Sequence, residues 1–136
     1  MKEVFLGGTC AKGTNWREKL IPMLEIDYFN PVVDDWNEEA YQLELEKRET
    51  CDYMLYVLTP LMEGVYSIAE VVDDSNKRPI KTIFCIIEKD YNEDGGVVWS
   101  KAQRKSLTAV EKMVEDNGAL VLEDIGEVAD VLNSLK

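Results

Sequence analysis

"YMLYVLTPLMEGVYSIAEVVDD", residues 53–74, decides how this chain folds. Residues 53–59 are a continuous apolar run, the pattern of a strand buried on both faces of a parallel sheet. Pro60 and Gly64 break the run. A helix-like segment follows, so the stretch is a strand, a turn and a helix in succession. On a helical wheel Val65, Ile68, Ala69 and Val72 cluster on one side. Glu70 lies away from them with Tyr66 and Ser67, which taken alone is the pattern of a solvated helix face.

Outward from this unit the same alternation repeats. Residues 3–8 (EVFLGG) are a short strand entering a glycine turn, and residues 14–24 are a helix with Thr14 or Asn15 as N-cap and Pro22 straining its last turn. Residues 27–33 read as a second strand, and residues 36–50 as a polar helix with Glu44 and Arg48 at an i,i+4 spacing. Residues 81–87 (KTIFCII) are a fourth strand, and residues 88–99 a long irregular loop. Residues 100–118 are the clearest helix, with a Ser100/Gln103 capping box and Asn117-Gly118 at its end. Residues 119–122 give a fifth strand and residues 124–136 a closing helix, with Asp124 and Glu127 as another capping box.

Strict β-α alternation predicts a three-layer α/β/α fold, flavodoxin/Rossmann-like, over residues 1–136 as one domain. Its five-stranded parallel sheet has strand order 2-1-3-4-5. In such sheets ligands bind beyond the C-terminal ends of the strands, where the strand order reverses. That brings together GGTCAKGTN after strand 1 and TPLMEG after strand 3.

The chemistry has narrow options. The chain contains no histidine, which removes the usual Ser-His-Asp, Cys-His and HExxH arrangements. Acids outnumber bases 27 to 15, for a net charge of −12, with no basic run to replace counterions on DNA or RNA. A nucleic acid polymer and an anionic membrane surface are therefore excluded as partners, and a small neutral or weakly charged ligand fits. No apolar stretch is long enough to span a membrane. Three cysteines without a CxxC suggest an intracellular, cytoplasmic protein. GGTCAKGT is not a Walker A, because Lys12 precedes Gly13. No GxGxxG appears, and VLTP stands where a phosphorelay receiver needs an aspartate. No metal or cofactor constellation stands out. The glycine turn can still bring backbone N–H groups to a ligand. Asp34 and Asp35 follow strand 2 at the same edge.

VFLGGT, WREKLIPML, FNPVVDDW, CDYMLYVLTP and YSIAEVV occur in the order seen in nucleoside 2-deoxyribosyltransferase-like proteins, which residues 3–88 resemble. The resemblance implies that Glu70, in SIAEVV, is the nucleophile. It puts Asp34 and Asp35 near sugar or base and the Gly7-Gly8-Thr9 turn at the floor, with Tyr66 and Ser67 as orienting groups. It also implies an acid on the helix before strand 3, either Glu44 or Glu46. Val72 stands where the family usually has glycine, and Phe5 where many members carry a tyrosine that orients the nucleophile.

The implied reaction is deoxyribosyl transfer between bases of 2′-deoxynucleosides, without cofactor, by a homo-oligomer that often builds its site from two subunits. Hydrolysis of deoxynucleoside 5′-monophosphates is an alternative, with Lys12 and Arg17 as the phosphate cradle. A non-catalytic module that binds a nucleotide-derived ligand is another.

Overall fold

The structure, a computed structural model, describes residues 1–136. Five parallel strands form the main sheet: β1 (Glu3–Gly8), β2 (Asp27–Phe29), β3 (Tyr53–Leu58), β4 (Thr82–Ile86) and a last strand, Leu120–Leu122. A separate hairpin, β5 (Lys89–Asn92) and β6 (Gly95–Val98), precedes that last strand, which is therefore β7. The sheet order is β2-β1-β3-β4-β7, the order expected from the alternation. The helices are α1 (Trp16–Leu20), α2 (Glu38–Thr50), α3 (Tyr66–Lys77), α4 (Lys101–Asp116) and α5 (Ile125–Ser134).

Because successive strand residues point to opposite faces, the sheet has two cores. Val4, Leu6, Leu55, Val57 and Ile83 pack with Trp16, Leu20 and Leu132 on the α1/α5 side. Phe5, Met54, Tyr56, Leu58 and Phe84 pack with Val71, Leu107 and Val114 on the α3/α4 side. The run over β3 is buried on both faces, as its sequence requires. Each large apolar side chain fully buried there contributes about 1.5–3 kcal/mol.

The structure corrects several local expectations. Residues 88–99 are not an irregular loop: β5 and β6 pair antiparallel, from Lys89↔Val98 to Asn92↔Gly95. Gly95 takes the positive φ of 118° that closes the turn. β2 ends at Phe29, short of Pro31, and α2 begins at Glu38 because the Asn37 side chain accepts the Ala40 N–H. α1 stops at Leu20, and Pro22 sits in a 3-10 turn, Ile21–Met23. Thr14 does not cap α1; its hydroxyl donates to Asp90 at 2.7 Å and ties the loop after β1 to the hairpin. The Ser100/Gln103 capping box is present in full. At α5 only Asp124 caps, while Glu127 accepts from the Glu123 N–H.

The largest correction concerns α3. Its buried residues are Glu70, Val71, Asp74 and Ser75, while Val65 and Ala69 are exposed and Ile68 and Val72 only half-buried. The apolar stripe is split, with Val65 and Ala69 toward solvent and Ile68 and Val72 partly packed against the core, and Glu70 faces in.

Candidate active site

A cavity of about 570 Å³ opens at the C-terminal ends of β1 and β3, where the strand order reverses. That volume suits a small-molecule ligand. Gly7, Gly8, Thr9, Cys10 and Ala11 line one side, and Met62, Glu63, Gly64, Tyr66, Ser67 and Glu70 the other. Pro31, Val32, Val33 and Trp36 come from the segment after β2, and Glu44 from α2. Glu70 and the Gly7–Thr9 turn thus share one cavity. Asp34 and Asp35 are exposed and do not line it; Trp36, the next residue, does. Of the two candidates on α2, Glu44 lines the cavity, whereas Glu46 is exposed and does not.

The glycines of the turn are required by their neighbours. A Cβ on Gly7 would lie 2.7 Å from the Tyr56 ring, and one on Gly8, whose φ is +120°, would lie 2.0 Å from the Val57 carbonyl oxygen. Thr9 continues the pairing: its N–H donates to the Val57 carbonyl, and its hydroxyl oxygen accepts the Thr59 N–H at 2.9 Å.

Arg17 and Trp16 hold the other side of the turn. The Trp16 indole donates to the Thr9 carbonyl at 2.8 Å, and the Arg17 guanidinium donates to the carbonyls of Leu6, Gly8 and Thr9. Burial lowers the Arg17 pKa to about 10. This cation is therefore committed to backbone carbonyls. Lys12, at the rim, is almost fully exposed and 3.9 Å from Glu93. Against these two cations the cavity sets three carboxyls, Glu44, Glu63 and Glu70.

Glu70 is 6% exposed, and its Oε2 has no hydrogen-bond partner. A buried carboxyl oxygen left unpaired is costly, and such groups mark working sites more often than surface helix faces. Its pKa is pushed up from 4.5 to about 8, first by burial and then by the neighbouring Glu44 carboxyl, while Arg48 opposes the rise. Tyr66 and Ser67, the first residues of α3, line the cavity beside Glu44 and Glu70. No side chain caps this helix start, so its N-terminal N–H groups add a positive end to the site.

Behind Glu70 lies a network that sequence reading missed. Arg48 does not pair with Glu44 one turn away; it reaches across to α3. Its Nη2 donates to Asp73 at 2.9 Å and Asp74 at 3.0 Å, and its Nε to Asp74 at 3.2 Å. Its Nη1 lies 3.8 Å from Glu70 Oε2. Asp74 also accepts from the Tyr56 hydroxyl and pairs with Arg78 at 3.4 Å. Burial works against the Arg48 charge, but Asp74, Tyr56 and Glu70 outweigh it and keep the guanidinium cationic. Burial, followed by the Asp74 charge, pushes the Tyr56 pKa far up, so its hydroxyl remains a donor. In sequence Tyr56 was hidden inside an apolar run, and Asp73-Asp74 carried no signal of their own. The usable signal was a phenol in the middle of a strand whose inner residues are otherwise aliphatic and buried.

Residues 1–89 match the family described as nucleoside 2-deoxyribosyltransferase like. The chain belongs to that family. The match spans β1 to β4 and so includes every residue lining the cavity, whereas α4, β7 and α5 lie outside it. A search of curated proteins finds no match.

Proposed function

We propose that this family member breaks the N-glycosidic bond of 2′-deoxynucleosides, with Glu70 as nucleophile and Glu44 as the acid and base that serves the bases. The observation that carries the reading is the buried Glu70 carboxyl, whose Oε2 accepts no hydrogen bond, beside Glu44 in the switch-point cavity. The C1′–N bond breaks, its electron pair leaves with the base, and the base takes the Glu44 proton. The Glu70 carboxylate forms an ester to C1′. An acceptor base or water then attacks C1′, loses its proton to Glu44 and releases Glu70 as a carboxylate. Two carboxyls sharing one proton supply both roles, as in retaining glycosidases. Trp36, Tyr66 and the valines of the rim offer apolar faces to a base, with Ser67 and the hydroxyl of Thr9 as polar contacts. Asp34 and Asp35, which adjoin Trp36 without lining the cavity, reach the sugar or base only if that segment closes over it.

The charge pattern favours a neutral nucleoside over a 5′-monophosphate, because Arg17 is committed to carbonyls and Lys12 stands in solvent near Glu93. A homo-oligomer is part of the same reading, supported by the solvent-facing part of the apolar stripe of α3. The three unpaired cysteines suit the reducing cytoplasm.

Incubation with deoxynucleosides, with and without a second base, followed by chromatography tests the reading. New nucleosides mark a transferase, and free base alone marks a hydrolase. Ligand binding without turnover would leave a non-catalytic binding module. Faster base release from monophosphates would favour the monophosphate glycosidase.

A further inference from the structure

A buried carboxyl and a half-buried one that share a proton can hold it in two ways, and only one of them suits the chemistry proposed above. The charge must sit on Glu70 and the proton on Glu44. Burial does not favour that arrangement, since Glu70 is deeply buried and Glu44 only half-buried. Something fixed must draw the charge inward.

The groups facing Glu70 are few. From α2 come Glu44 and Arg48; from its own helix Tyr66, Asp73 and Asp74; from β3 Tyr56; and Arg17 borders the same cavity. Arg17 is committed to carbonyls and Lys12 stands in solvent near Glu93, so Arg48 is the cation left to act. Arg48 is 5% exposed, forms an ion pair with Glu70 and none with Glu44.

We propose that Arg48 is a positioning residue: anchored by Asp74, which the Tyr56 hydroxyl holds in turn, it places a fixed positive charge 3.8 Å from Glu70 and so favours the arrangement with the charge on Glu70 and the proton on Glu44. The geometry supports a fixed charge rather than a loose one. A guanidinium fork bound at two nitrogens to one carboxylate has little freedom left. Asp74 is itself fully buried and held by the phenol below it. Phe5 occupies the strand-1 position that the family resemblance gives to an orienting tyrosine. The hydroxyl that reaches α3 comes instead from β3, where Tyr56 is the register partner of Gly7. It acts one step removed from the nucleophile, through Asp74 and Arg48.

The inference rests on the proposed chemistry, but it can be read without turnover. Protein labelled with ¹³C at the glutamate carboxyls is titrated by NMR, with Glu70 and Glu44 assigned from their loss in Glu70→Gln and Glu44→Gln. In Arg48→Met the Glu70 midpoint should rise by about one pH unit or more, and Arg48→Lys should recover part of the shift. Where base release is measurable, kcat should fall at least about tenfold in Arg48→Met with KM little changed, and partly return in Arg48→Lys. A folded Arg48→Met protein with an unmoved Glu70 midpoint overturns the proposal. Should that variant fail to fold, ¹⁵N-arginine spectra of the unaltered protein decide. The Arg48 side-chain resonances must move through the same midpoint as the Glu70 carboxyl, and a flat response overturns the proposal. If the midpoints shift as expected but no base is released by any form, the Arg48 role stands and the glycosidic reading falls.

Discussion

Helices α3 and α4 pack side by side on one face of the sheet, and they obey opposite rules. α4 opens with a complete capping box, buries Leu107 and Val114 and turns its charges to solvent. α3 has no side-chain cap, buries Glu70, Asp74 and Ser75, and exposes Val65 at 67%. Amphipathic spacing marks both as helices, but it does not say which face turns inward. In α4 the hydrophobic effect decides. In α3 Val71 joins the core and Ile68 and Val72 pack partly against it, but partners from β3 and α2 draw polar side chains in beside them and Val65 is left in solvent. Burial of carboxylates on a face that the sequence pattern gives to solvent is what sets α3 apart.

The sharpest way to break this contrast is Glu70→Gln. Under the proposed chemistry, loss of the Glu70 charge should reduce base release on the order of 10³-fold, equivalent to about 4 kcal/mol of barrier, with the fold intact. An active Glu70→Gln protein would return α3 to the status of an ordinary helix. Leu107→Ala is the counterpart in α4: it should cost about 2–4 kcal/mol in denaturant unfolding and leave kcat/KM of the folded protein unchanged.

The third prediction concerns pH. The folded-state pKa of Glu70, about 8, lies above its ordinary value of 4.5. Below 4.5 the group is protonated in both states and costs nothing. Between 4.5 and 8 the unfolded chain ionises while the folded one resists, so stability falls as pH rises, and above 8 the full cost is present. Glu70→Gln removes that cost. It should therefore melt with the parent near pH 4 and above it at pH 8, by on the order of 2 kcal/mol. Equal melting at both pH values would show that Glu70 is better solvated than its burial implies. The smallest effect on stability is expected at Val65→Asp, within about 0.5 kcal/mol because Val65 is 67% exposed. The same change should turn an oligomer into a monomer by light scattering. An unchanged mass would place the subunit contact elsewhere.

These contrasts also define what could be read from the chain. The sheet was legible because continuous apolar runs over β3 and β4 have few alternatives, and the Ser100 box because capping is local chemistry. The location of the cavity followed from strand order, and the family resemblance singled out Glu70 as a candidate. The burial of Glu70 was not legible. It depends on Arg48 and Tyr56, which lie 22 and 14 residues away and meet α3 only once the sheet has formed. Arg48 was misread for the same reason: an i,i+4 partner is visible in sequence, a partner on another helix is not. The β5–β6 hairpin was missed because its strands are short, largely exposed and hold two glycines, so no alternation survives. Asp34 and Asp35 were read from their neighbourhood to strand 2, but early termination of β2 at Phe29 brings Trp36 to the cavity and leaves both aspartates outside it.

The clamp formed by Trp16 and Arg17 has a consequence for binding. The carbonyls of Leu6, Gly8 and Thr9 are already held from behind, and the glycines already fit the Tyr56 ring and the β3 backbone. The floor of the cavity therefore has little conformational entropy left to lose when a ligand arrives. Affinity at this floor reports the contacts that a ligand makes, with almost nothing subtracted for ordering the loop.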